Sequence, residues 1–227
     1  MTIHVLLADD QALLRATFRI LIDSVTDMTV VAEAADGQEA VDLATTHRPD
    51  VVVMDIRMPH VDGVAATAAL CARPELSATR VLVLTTFEND ENVARALRAG
   101  ASGFLGKGVG PEVLLSGIRT VAAGEALLSP TATRTLITRF LATPDTDRFH
   151  ALPDEIRALT GREREVTALA AYGRSNAEIA ERLVLSPLTV RSRIQRAMTR
   201  VQARDRAQLV VIAYQSGLVK PQSGFDS

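Results

Sequence analysis

Short apolar runs at residues 3–8, 28–34, 51–55, 80–84 and 103–105 alternate with amphipathic stretches at 11–23, 37–46, 62–71, 91–99 and 111–123. Runs that brief, separated by segments with a helical repeat, predict parallel strands joined by crossover helices. The expected fold of this half is α/β, a doubly wound (βα)5 unit around a central five-stranded parallel sheet. In such folds ligands bind outside the carboxyl ends of the strands.

After Gly124 the pattern changes. An amphipathic stretch at 132–141 precedes a polar piece containing Pro and Asp at 143–150, which reads as linker. From Asp154 only helical periodicity remains, at 161–172, 176–183, 187–203 and 206–216. A separate all-α, four-helix domain is therefore expected at 154–219, after a linker with a helical segment at 124–153 and before a flexible tail at 220–227.

Composition narrows the classes. With 47% apolar and 23% charged residues among 227, the chain can bury a core in two ordinary domains. No apolar run nears the roughly 18 residues of a membrane span, and the first ten residues lack a basic leader. Cys71, the single cysteine, forms no intrachain disulfide, and the four histidines lack metal-ligand spacing. A reducing, cytoplasmic setting without structural zinc is the expectation. The net charge of −2 hides an asymmetry: residues 1–125 carry −7 and residues 126–227 carry +5. Seven arginines and one acid, Asp205, lie between Arg182 and Arg206; such a cluster favours a polyanion, most simply nucleic acid.

The acidic half has its own chemistry. Asp9 and Asp10 follow the first predicted strand, Asp55 closes the third, Thr85 the fourth, and Lys107 follows the fifth. The topology gathers them at one sheet edge. Carboxylates sharing a pocket need a counter-ion, and hard oxygen donors at this density suit Mg2+. Such a metal, with Lys107, would neutralise a phosphoryl group passing to an aspartate oxygen while the Thr85 hydroxyl bonds a phosphate oxygen. Singly, each aspartate has a plainer reading; Asp10, for example, suits a helix cap. A phosphatase with an aspartate nucleophile usually carries a second acid two residues on, where this chain has Arg57.

These residues carry a resemblance. With LLADD at 6–10, VVVMDIRMPHVDG at 51–63, VLVLTTF at 81–87 and GASGFLGK at 100–107, residues 1–123 resemble the receiver domain of two-component signalling. The resemblance implies that Asp55 accepts a phosphoryl group from a sensor histidine kinase. It further implies that Asp10, Asp55 and the backbone carbonyl of Arg57 ligate Mg2+, and that Asp9 assists through water. Thr85 and Lys107 fall at the switch hydroxyl and lysine, and Phe104 at the aromatic switch, a position equally suited to core packing. No enzyme activity is implied beyond Mg2+-dependent self-phosphorylation and self-dephosphorylation. Gly106 and Gly108 depart from the family, which usually has a larger apolar residue before the lysine and an acid or Pro after it.

In the basic half, Ser186 suits an N-cap and Pro187 a first helical position, so a short turn separates two helices, the second rich in arginine. That arrangement fits a helix-turn-helix. On a helical wheel Val190, Ile194, Ala197, Met198 and Val201 form the core arc, opposite Ser192, Gln195, Arg196 and Thr199. Arg191, Arg193 and Arg200 on the flanks reach toward phosphates, and Gln195 suits an adenine edge. Few aromatics (Trp 0, Tyr 2, Phe 6) argue against single-stranded ligands such as RNA.

The segment at 159–201, LTGREREVTALAAYGRSNAEIAERLVLSPLTVRSRIQRAMTRV, followed by RDRAQLVVIAYQSGLV at 204–219, is similar to the helix-turn-helix of the NarL/FixJ (LuxR-type) response regulators. The similarity puts Arg191, Ser192 and Gln195 at base-reading positions and Thr189, Arg193 and Arg196 at phosphate contacts on double-stranded promoter DNA. Relatives often have Lys, Thr and His at 191–193, and a proline where this chain has Gly161, so the preferred DNA sequence does not transfer. The last helix is apolar on two sides, with Leu209, Ile212 and Ala213 on one and Val210, Val211 and Tyr214 on the other. The second side is expected to form a homodimer contact, at least in the phosphorylated form, with half-sites about 34 Å apart; packing on the receiver is the alternative. Phosphorylation is expected to control dimerisation, promoter binding and transcription by shifting the population toward a dimer-competent form.

Overall fold

The computed structural model describes residues 2–86, 95–124, 127–128 and 154–219. The chain divides into two compact units, Met1–Ser129 and Pro130–Ser227.

In the first unit, β1 (Ile3–Ala8), β2 (Met28–Ala34), β3 (Val51–Met54), β4 (Arg80–Thr85), β5 (Gly103–Gly106) and β6 (Leu127–Leu128) form one sheet in the order β2-β1-β3-β4-β5-β6. Every pairing is parallel. β3 is buried along its whole length and β4 from Val81 onward, which is why both read as unbroken apolar runs rather than as alternation. The expected five parallel strands are present. β6 is an addition, two residues too short to show a period, pairing Leu127 and Leu128 with Gly103 and Phe104.

Helices α1 (Ala12–Asp23), α2 (Gly37–His47), α3 (Gly63–Cys71) and α4 (Pro111–Ala122) flank the sheet, with a 3-10 turn at Pro74–Leu76; residues 95–98 are also helical. α2 starts where Asp36 accepts the Glu39 N–H while the Glu39 carboxylate accepts the Ala35 N–H. α3 starts with Asp62 accepting from Ala65. These bonds satisfy donors that have no partner inside their helix. On one face of the sheet Val5, Leu7, Val53, Leu82 and Leu84 pack with Leu114 and Ile118 of α4.

The second unit is helical: α5 (Asp154–Arg157), α6 (Gly161–Ala171), α7 (Asn176–Leu183), α8 (Pro187–Arg200) and α9 (Arg206–Gln215). The four expected helices are joined by the one-turn α5. Caps set their starts. Thr160 with Glu163 and Ser175 with Glu178 form reciprocal capping boxes, while Ser186 and Asp205 cap α8 and α9. Ile156, Leu159, Val166, Ile179, Val190, Ile194 and Leu209 close the core. The segments expected at 132–141 and 143–150, the tail at 220–227, and residues 91–94 of the fourth helical stretch lie outside the described residues.

Candidate functional site

The parallel strands bring the acidic residues to one edge. Asp9 follows β1 and Asp55 follows β3, adjacent strands whose last paired residues are Ala8 and Met54. Both aspartates are buried, whereas Asp10 is exposed. Each of the three offers a carboxylate oxygen within 4.8 Å of the others. Lys107 directly follows β5, and its backbone N–H bonds the Thr85 carbonyl at 2.7 Å. Its Nζ lies 2.6 Å from Asp9 Oδ2 and 2.8 Å from Asp55 Oδ2.

Both carboxylates are held by backbone donors as well. The Ile56 N–H donates to Asp55 Oδ1 at 2.7 Å and the Gln11 N–H to Asp9 Oδ1 at 3.0 Å. Burial is the largest influence on Asp55 and lifts its pKa above the ordinary value; Asp9 adds to the rise, and Lys107 and the Ile56 N–H restrain it. Burial works against protonated Lys107, but its hydrogen bonds to Asp55 and Asp9 outweigh it and raise its pKa. The result is a buried ammonium between two carboxylates, one of which holds protons more strongly than a surface aspartate. Three acids with one lysine leave negative charge that suits a hard divalent cation.

Thr85 and Phe104 are both buried, at 1% exposure each, on the neighbouring strands β4 and β5. The edge also depends on Gly63, the last residue of the VVVMDIRMPHVDG stretch. A Cβ there would sit 1.9 Å from the Asp55 carbonyl oxygen, so no other residue fits without moving the backbone of the acidic site. The Gly63 N–H also bonds the Ile56 carbonyl at 2.8 Å. In the sequence Gly63 is the glycine of an Asp-Gly pair, eight residues after Asp55.

In the second unit α8 presents Arg191, Ser192, Gln195 and Arg196 to solvent, with Thr189 and Arg193 half-buried, while Val190, Ile194, Ala197, Met198 and Val201 face the core. Residues 5–119 match the response regulator receiver domain, and residues 157–213 match the bacterial regulatory proteins of the luxR family. The chain is a DNA-binding two-component response regulator.

Full-length relatives agree. The response regulator is 41% identical to the uncharacterized transcriptional regulatory protein YxjL of Bacillus subtilis (strain 168), over 96% of this chain and 98% of that one. It is 34% identical to the oxygen regulatory protein NreC of Staphylococcus epidermidis, over 95% and 99%. Among solved structures it is similar to response regulator ChrA of a heme-sensing two-component system, with 32% identity, a TM-score of 0.51, and 96% and 99% of the two chains covered. A LuxR-family response regulator from Aurantimonas sp. SI85-9A1 shares 33% identity and a TM-score of 0.57 over 62% of this chain and 99% of that one.

One expectation for the response regulator needs correction. Val210, Val211 and Tyr214 do not form an open apolar face: their exposures are 3%, 8% and 4%. The Tyr214 hydroxyl donates to the Ala171 carbonyl at 3.0 Å, and burial pushes its pKa up to about 12. A wheel shows that a helix is apolar on two sides, not that one is free.

Glu163 and Asp205 have structural roles that the pattern of the sequence did not bring out. Glu163 is buried, accepts from the Thr160 N–H and hydroxyl at 2.8 Å each, and faces Arg200 at 3.4 Å. It ties the start of α6 to the end of α8, and the T-x-x-E spacing was a legible signal for it. Asp205, buried at 1%, caps α9 through the Gln208 N–H. Among the described residues no helix is long and apolar enough to cross a membrane.

Proposed function

We propose that Asp55 is the phosphoacceptor of this regulator and that a sensor histidine kinase supplies the phosphoryl group. An Asp55 carboxylate oxygen attacks phosphorus, the P–N bond of the phosphohistidine breaks, and the imidazole leaves with the electron pair. Attack of water on phosphorus later returns the carboxylate and inorganic phosphate. The observation that carries this reading is the contact of Lys107 Nζ with both Asp9 and Asp55 beside Asp10, a site able to hold a cation and an anion together.

Asp9, Asp10, Asp55 and the backbone carbonyl of Arg57 are the groups that would hold Mg2+, an all-oxygen set fitting that ion. When bound, Mg2+ neutralises charge on the phosphoryl oxygens. Lys107 then exchanges carboxylate contacts for a phosphoryl oxygen, and the Thr85 hydroxyl donates to another. Phe104 follows Thr85 into the space left behind. The same site supports self-phosphorylation from small phosphodonors and self-dephosphorylation.

In the DNA-binding domain, Arg191, Ser192 and Gln195 read base edges, and Thr189, Arg193 and Arg196 contact phosphates. The protein acts in the cytoplasm, and phosphorylation shifts it toward a homodimer that binds two half-sites. Intact-mass measurement after treatment with acetyl phosphate and Mg2+, coupled to DNA binding on the same sample, tests this. A gain of one phosphoryl group, lost in Asp55→Ala, with tighter DNA binding by the modified form, is expected. Modification elsewhere, or equal DNA affinity for treated wild type and Asp55→Ala, overturns it.

A further inference from the structure

Leu188 is 75% exposed at the second position of α8. Its neighbours on the helix explain why this is unusual. Val190 and Ile194 turn into the core, whereas positions 188, 191, 192 and 195 share one side of a 3.6-residue helix, and Arg191, Ser192 and Gln195 on that side are exposed. The only large apolar group on this polar, basic side therefore stands at its N-terminal end, where recognition helices contact base edges. The start of the helix is well anchored: Pro187 occupies the first position, and the Ser186 hydroxyl accepts the Thr189 N–H at 3.1 Å. Leu188 is thus held at a defined place rather than in a fraying turn.

Two occupants could cover such a side chain. A protein partner would need an apolar, charge-poor patch around it, and the exposed residues on its side of α8 are Arg191, Ser192 and Gln195. Duplex DNA matches that surround. In the major groove the C5-methyl of thymine is the one apolar group that the four bases offer to a side chain.

We infer that Leu188 is a specificity-determining residue that selects a thymine in each half-site by packing on its C5-methyl, beside the bases read by Arg191, Ser192 and Gln195. The inference rests on α8 being the reading helix. Removing one methyl-sized contact from the interface should weaken binding about fourfold, as burial of a single methylene does.

The test selects sites from a randomised duplex library with full-length protein treated with acetyl phosphate and Mg2+, using wild type, Leu188→Ala, Leu188→Met, Arg191→Ala and Gln195→Ala. Leu188 is exposed, so Leu188→Ala should melt like wild type. Wild type and Leu188→Met should select a thymine that Leu188→Ala leaves unconstrained. Replacing that thymine by deoxyuridine should weaken wild type about fourfold and leave Leu188→Ala unaffected. The inference is overturned if Leu188→Ala selects the same sites, if its affinity falls equally on all sequences, or if deoxyuridine weakens both proteins alike. If Arg191→Ala and Gln195→Ala also leave selection unchanged, α8 is not the reader and the wider reading of the domain fails too; if they alter it while Leu188→Ala does not, only the thymine contact fails.

Discussion

Replacing Lys107 by methionine keeps the length of the side chain and removes its charge from between Asp9 and Asp55. At contacts of 2.6 and 2.8 Å and an effective dielectric of about 20, each pairing represents about 6 kcal/mol of gross attraction, most of it offset by desolvation. The two carboxylates left behind stay buried, with oxygens no more than 4.8 Å apart, and repel by at least about 3 kcal/mol on the same scale. Breaking a buried pair in this way typically costs about 3–5 kcal/mol. In EDTA, calorimetry of Lys107→Met should therefore show the receiver transition lowered by roughly 10–20 °C. Millimolar Mg2+ should recover much of that, because the variant site carries one more net negative charge and binds the cation more tightly. Each tenfold excess over Kd contributes about 1.4 kcal/mol. An equal depression in EDTA and in Mg2+ would refute the reasoning, since the lysine would then be supporting the fold by packing and not as the resident counter-ion.

Gly63→Ala forces a Cβ to within 1.9 Å of the Asp55 carbonyl oxygen, so urea denaturation should show a loss of about 3 kcal/mol or more, and acyl phosphate formation should slow; an unchanged urea midpoint would contradict the geometry. Glu163 has a pKa held below the usual glutamate value: burial opposes this, but the Thr160 N–H and hydroxyl, with Arg200 and Arg196, outweigh it. A depressed folded pKa contributes stability that is present above the unfolded value near 4.5 and lost as pH falls through the folded value. Melting of the DNA-binding domain should be flat above that range and decline below it. Glu163→Gln should cost about 1 kcal/mol at neutral pH and flatten part of the acid decline, Glu178 in its own capping box supplying the rest; an identical acid profile in the variant would count against this assignment.

The acid–lysine edge was legible because it is topological: once alternating runs imply parallel strands, Asp9, Asp55, Thr85 and Lys107 fall at the same ends of neighbouring strands, whatever their rotamers. The helix starts were legible because Ser186 with Pro187 is a local signal. What escaped depends on contact between distant segments. Gly63 matters only because its backbone crosses that of Asp55, and β6 is too short to carry a period. The second apolar side of α9 was visible as a pattern, yet whether a second copy or the same chain covers it is not a local property. Nothing in residues 206–216 announces that the Tyr214 hydroxyl reaches Ala171.

The two-residue β6 has a practical consequence. It pairs with Gly103 and Phe104 on the outer side of β5, and a receiver fragment ended at residue 123, where the sequence pattern breaks, would lose it. The donors and acceptors along that side of the sheet would then be bare next to Phe104 and Leu105, a template for edge-to-edge association. A fragment that continues past Leu128 keeps the seam closed and should remain monodisperse where the shorter one clumps.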